Sequence, residues 1–184
     1  YKLITKEIGY ADLRRLPYSG VDEVFEALKD TKGMILDVRG YPRGTAWEIA
    51  PRLTEKEDVV AARFKGEIVL PWGHMHQGSA KYFIKQNLPK SNKWKYKGKT
   101  VMLMNGLTIS QAEHTGLFFE AANNTTFIGS ATNGANGDVT WFYVPGMVRV
   151  FMTGQSVSHA DGRQLHRIGL ITHIEVKPTI KGIR

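Results

Sequence analysis

Ser110 is the residue of this chain whose setting points most directly to chemistry. It stands between an apolar run, Val101-Met-Leu-Met-Asn105, and the segment Gln111–Asn123, whose apolar residues fall at helical spacing. A serine that closes a strand and opens a helix has unpaired backbone N–H groups beside its hydroxyl, and these favour negative charge. Such a serine can attack a carbonyl carbon while the N–H of Gln111 stabilises the oxyanion that forms. The stretch Ser110-Gln-Ala-Glu113 is also a capping box, with Ser at the N-cap and Glu at N3. The two readings are compatible.

A second turn, Arg39-Gly-Tyr-Pro-Arg-Gly44, follows the short apolar run Met34-Ile-Leu-Asp-Val38 and precedes a short helical segment at 45–53. Open α/β sheets bind ligands beyond the carboxyl ends of their strands, so the amides of this turn can supply a second oxyanion donor. The turn can equally be a tight connection that needs glycine for positive φ. It lacks the Lys and Ser/Thr of a phosphate-binding loop.

Three further clusters each carry two readings. His74-Met-His76 places two imidazoles on one face of an extended segment, yet no third ligand follows at a recognisable interval, so a solvent-facing loop competes with a metal site. Lysines 90, 93, 95, 97 and 99 interleave with Trp94 and Tyr96, the mixture that single-stranded nucleic acid would need or that a solvated basic loop would show. Asn133-Gly-Ala-Asn-Gly137 can shape a peptide groove or simply connect two elements.

The elements that must position these residues read as a single α/β unit. The chain has 184 residues, of which 42% are hydrophobic and 23% charged, close to the averages of a globular domain. Apolar runs such as Val101–Met104 stop at four residues, far short of the roughly 20 a membrane helix needs. The net charge of +8 attracts anions but says nothing about fold. Cysteine is absent. Ser19–Asp30 predicts the clearest helix, with Val21, Val24, Phe25 and Leu28 on one face. Short strands are expected at Lys2–Ile8, Met34–Val38, Val59–Leu70, Thr100–Asn105, Thr125–Gly129, Val139–Val144 and Met147–Thr153, with residues 71–99 as a long surface excursion. Strands alternating with helices favour a partly parallel sheet flanked by helices.

Taken in order, these pieces resemble the tail-specific, or C-terminal-processing, serine peptidases. Leu36-Asp-Val-Arg-Gly-Tyr-Pro-Arg-Gly44 is similar to the family's strand-turn "L-D-L-R-N-N-P-G-G", and Thr108-Ile-Ser-Gln-Ala-Glu113 to its nucleophile segment "S-A-S-A-S-E". Phe127-Ile-Gly129, Thr132–Gly137 and Ile168–Val176 fall where the family keeps its "V-G-x-x-T-x-G", glycine-rich and "G-I-x-P-D-I-x-V" blocks. The resemblance runs from about Gly9 to Val176.

It implies a ClpP/crotonase-like α/β fold and a peptidase that acts on unstructured polypeptide ends. By position, Ser110 is then the nucleophile, and the amides of Gln111 and Gly44 form the oxyanion hole. One branch of the family keeps a lysine base where this chain has Ala135 and Asn136. The chain is thus closer to the branch that resembles the tricorn protease core, whose histidine comes from an upstream segment and whose glutamate aligns with His166. His166 and His114 are the internal candidates for the base; otherwise an upstream part of the protein supplies it.

The ends read as cuts, so the expectation is one catalytic core over residues 1–184 of a longer chain, exported to the periplasm or cell envelope. Its partners are a polypeptide substrate and upstream domains, with no nucleic acid, no membrane span, no cofactor and no metal. Ala135 and His166 also motivate an alternative, a catalytically inactive pseudo-peptidase that binds peptide or wall components.

Overall fold

The computed structural model describes residues 1–68, 80–177 and 179. The chain runs through β1 (Lys2–Thr5), β2 (Ile8–Asp12), α1 (Val21–Leu28), β3 (Gly33–Asp37), α2 (Ala46–Ile49), β4 (Val60–Ile68) and β5 (Ala80–Asn87). It continues through β6 (Lys99–Met104), α3 (Gln111–Asn123), β7 (Thr126–Gly129), the hairpin β8 (Val139–Val144) and β9 (Val148–Thr153), then β10 (Ser156–His159) and β11 (Ile174–Glu175). Six strands form the main sheet in the order β1-β2-β3-β6-β7-β11. Every pair in it is parallel except β1 with β2. This is the expected α/β core with a partly parallel sheet flanked by helices.

The parallel register has a direct consequence for function. Asp37 of β3 stands opposite Leu103 of β6, and Met104 of β6 opposite Gly129 of β7. The turns that follow these three strands therefore leave the sheet at one end, and Ser110 lies on one of them. Short apolar strands of the buried type hold them there: Leu36, Met102, Met104 and Phe127 are all buried.

Helix α3 is covered nearly all round, with Ala112 to Phe119 buried without a break. It packs between the main sheet and a second, antiparallel sheet of order β10-β4-β5. Only Leu117, Phe118 and Ala121 read as inward from the sequence, because helical periodicity describes a helix with one wet face. The sequence also places β5 inside a surface excursion. Its burial pattern is almost wholly exposed, so it carries no alternation to read, and its pairing with β4 defines it instead. The single strand expected at Lys2–Ile8 is a hairpin, β1 with β2.

The lysine-rich stretch after β5 is not a free basic loop. Lys93 Nζ donates to both oxygens of Asp22 at 2.8 and 2.9 Å and to Glu48 at 2.5 Å. Lys97 pairs with Glu55, and Trp94 Nε1 donates to Glu26 at 2.6 Å. The Arg52 guanidinium, only 1% exposed, stacks 3.8 Å from the Phe25 ring and 4.9 Å from that of Trp94. These contacts fasten residues 93–97 onto α1 and onto Glu48 and Glu55, and set Lys93 and Lys97 against acidic partners, while Lys95 Nζ donates to the carbonyls of Pro51 and Ser91. Among the described residues no helix is long and apolar enough to cross a membrane.

Candidate active site

Ser110 caps α3 with φ 55° and ψ −119°, a conformation unusual for a residue with a side chain. Its N–H is shared between Ala135 O and Glu113 Oε2, both at 3.1 Å. The capping box read from the sequence is therefore formed, and it coexists with a half-buried hydroxyl at the rim. The neighbour of that hydroxyl is the Tyr41 OH, 3.5 Å away.

Tyr41 belongs to the turn after β3, and the base of this turn is rigid. The Arg39 guanidinium grips Asp37 through Nε at 3.0 and 3.2 Å and through its terminal nitrogen at 2.7 Å, while the Arg39 N–H adds a further bond at 3.0 Å. Tyr10 OH donates to the same carboxylate at 2.8 Å. Burial works against ionising Asp37, but these hydrogen bonds outweigh it and hold the carboxyl below its ordinary range. Desolvation, then the bond to Asp37, pushes the Tyr10 phenol up to about 12.

From this base the turn reaches Gly44, which has φ +71°, and a Cβ there would stand 3.9 Å from Nε2 of the Gln111 side chain. Gly44 and Gln111 are thus neighbours across the mouth of the site. Within the described residues neither of their backbone N–H groups is paired. Unpaired backbone amides can stabilise an oxyanion where they are aimed at one.

The third wall is the glycine-rich segment 132–137. Thr132 Oγ1 donates to Glu113 Oε1 at 2.6 Å, and the N–H groups of Gly134 and Ala135 donate to the same carboxylate at 2.6 and 3.0 Å. The Asn133 N–H reaches Thr108 O at 3.0 Å. The segment is therefore a built wall and not a slack connector.

The two histidine candidates for a base are anchored away from the hydroxyl. His114 Nε2 pairs with Gln86 Oε1 at 2.6 Å, and its Nδ1 with Asn136 Nδ2 at 3.2 Å. The Gln86 oxygen only accepts and the Asn136 nitrogen only donates, so this ring is neutral with its proton on Nε2. Trp47 stacks on it at 5.7 Å, with Phe64 and Phe118 alongside. His166 Nδ1 accepts from the Val157 N–H at 3.2 Å. That bond fixes the neutral ring's proton on Nε2, where it can donate but cannot receive a serine proton. Nε2 itself is buried beside Gly137 and has no partner among the described residues. The His74-Met-His76 pair lies outside the described residues, among which no group of three acidic or histidine side chains could hold a metal.

Burial pushes His114 down to about 4. The unfolded chain, with histidine near 6.5, then binds the extra proton first, so stability present above pH 6.5 is lost as pH falls toward 4. The expected loss is roughly 3 kcal/mol over that interval. Thermal melts of the wild type and of His114→Gln between pH 7 and 4 check this: the wild-type decline should be the steeper, and parallel curves would refute it.

Sequence reasoning missed Tyr41, Gln86 and Asn136 as neighbours of the site, and saw Glu113 only as a cap. The turn containing Tyr41 was legible, but nothing local says that its ring reaches across to position 110.

Residues 7–176 match Peptidase family S41. No curated protein matches the chain. Among solved structures, a candidate peptidase from Parabacteroides merdae ATCC 43184 superposes over the whole chain with a TM-score of 0.79 at 19% identity. The photosystem II D1 C-terminal processing protease gives 0.61 at 17% identity over 94% of the chain, and a lipoprotein from Streptococcus agalactiae 0.62 at 17% over 96%. The chain spans 58%, 43% and 64% of these three proteins' own lengths.

Proposed function

Because this chain belongs to peptidase family S41, we propose that Ser110 is its nucleophile, with the amides of Gln111 and Gly44 as the oxyanion hole. The observation that carries this reading is the meeting, at the carboxyl end of the sheet, of the turn that bears Tyr41 and Gly44 with the turn that bears Ser110 and Gln111: the Tyr41 OH lies 3.5 Å from the Ser110 hydroxyl, and Gly44 lies beside the Gln111 side chain. The serine gives its proton to the base and attacks the scissile carbonyl, and the two amides hold the negative charge of the tetrahedral intermediate; its collapse breaks the C–N bond and releases the amine with that proton, and water then hydrolyses the acyl-enzyme and frees the serine.

The substrate is an unstructured polypeptide or C-terminal tail. A helix-borne base can take the Ser110 proton only if it comes within hydrogen-bond reach, worth about 10²–10⁴-fold in rate. Both candidate histidines, His114 and His166, are held by other partners, and in this reading the base comes from a part of the protein upstream of this chain, as in the tricorn-like branch. Ala135 and Asn136 stand where the other branch keeps its lysine, which supports the same assignment. A location in the periplasm or cell envelope accords with the streptococcal relative being a lipoprotein.

Fluorophosphonate labelling tests the proposal, because only an activated serine reacts. The full-length protein should be labelled at Ser110, and the 184-residue chain by itself should label and turn over little or not at all. Robust cleavage by the isolated chain would place the base within it. A full-length protein that binds peptide without being labelled would instead be the inactive pseudo-peptidase.

A further inference from the structure

We propose that Glu113 is a positioning residue for catalysis, an anion that locks the nucleophile turn to the glycine-rich wall; this rests on Ser110 being the nucleophile. Its side chain is 0% exposed, and among the described residues it is in no ion pair. An isolated buried carboxylate is costly unless its lone pairs are filled. Here they are. Oε1 accepts from Thr132 Oγ1 and the Gly134 N–H, both at 2.6 Å; Oε2 accepts from the N–H groups of Ala135 at 3.0 Å and Ser110 at 3.1 Å.

A plain capping box needs only one of these four bonds, the one to Ser110. The other three reach 19 to 22 residues further along the chain. Thr132 extends the network, since its hydroxyl oxygen accepts the Leu170 N–H at 2.7 Å. One carboxylate therefore sets the distance between the nucleophile and the wall on its far side.

The backbone at Ser110 explains why such a lock is needed. Its φ of 55° with ψ −119° carries strain on the order of 1–3 kcal/mol, which persists only where the surroundings over-determine the conformation. The Ser110 N–H has two acceptors, Glu113 Oε2 and Ala135 O, and Ala135 is itself held by Glu113. Both acceptors of the Ser110 N–H thus depend on one side chain. Sharing the Ser110 N–H in this way also removes it from the oxyanion hole and leaves Gln111 as the donor on this turn.

Glutamine at position 113 has one accepting oxygen where the wall presents two pairs of donors, so its NH₂ must face either the Gly134 or the Ser110 and Ala135 amides. The Glu113→Gln protein should fold and still label fully with fluorophosphonate, but with a second-order rate constant about 10-fold lower. Glu113→Ala should lower it about 100-fold, the scale of a misplacement near 1 Å. Peptide hydrolysis should show the same loss in kcat with KM little changed. A merely structural role would reduce the fraction labelled or the melting temperature and leave the rate constant per reactive site at the wild-type value; that result overturns the proposal. If neither Glu113 variant folds, Thr132→Val removes a single donor and should slow labelling several-fold, and a wild-type rate in it overturns the proposal as well. Failure of the wild-type protein to label would remove the nucleophile itself, and the role of Glu113 with it.

Discussion

Replacing Ser110 with alanine should lower hydrolysis of a denatured polypeptide by the full-length protein about 10⁴-fold or more, the scale seen when a nucleophile is removed from a serine peptidase. The same change should leave the fold almost untouched. The lost cap is worth about 1 kcal/mol, which lowers the melting temperature by roughly 2–4 °C in a chain of this size. Pairing the two measurements separates the two roles of the residue. As a cap alone, Ser110 would show the small thermal shift with activity intact. As cap and nucleophile together, it shows the thermal shift with activity gone. More than a tenth of wild-type turnover in Ser110→Ala would remove it from the nucleophile role.

The largest stability effect is expected at Gly129, the last residue of β7. It adopts φ +131°, and a Cβ built there stands 1.9 Å from the carbonyl oxygen of Met104 on the neighbouring strand β6. The atom in the way is backbone, locked in the central parallel pairing, so no rotamer change relieves the overlap. Gly129→Ala should destabilise the protein by about 3–5 kcal/mol, the range of strained backbone and overpacked cores. The melting temperature should then fall by roughly 10 °C. Gly146 is the internal comparison. It has φ +88° but nothing within 4 Å of its missing Cβ, so alanine there meets backbone strain alone, about 1 kcal/mol. Equal melting temperatures for the two variants would show that the Met104 clash is relieved elsewhere. Because Met104 leads directly into the turn that carries Ser110, the Gly129 variant should also lose activity per folded molecule.

Much of the fold was legible in advance where local chemistry decides it. The face of Val21, Val24, Phe25 and Leu28 marks α1, and all four are buried. The apolar runs at 34–38 and 100–105 are the central strands β3 and β6. The capping pattern at Ser110 opens α3 at Gln111. Each of these signals lies within a few residues, so no knowledge of the rest of the chain is needed to read it.

The misses share a cause. Strand β5 exposes most of its side chains and is defined by its hydrogen bonds to β4. The lysine stretch, from which no nucleic-acid partner is expected, gives no local sign of its ion pairs, and Lys93 and Lys97 meet Asp22, Glu48 and Glu55 from distant parts of the chain. His114, four residues from Ser110, has the spacing of a partner on the same helix. Gln86 of β5 and Asn136 of the glycine-rich segment hold its ring elsewhere.

The sequence by itself determined α1, the central strands β3 and β6, and which serine opens a helix, because periodicity, capping and glycine requirements act between near neighbours. Only the tertiary structure decided which charges cancel, which imidazoles are committed, that the Tyr41 OH reaches the Ser110 hydroxyl, and that Glu113 ties the Ser110 turn to the glycine-rich wall. Those outcomes depend on strand order and register, which bring together groups tens of residues apart and leave no local trace of the distance between them.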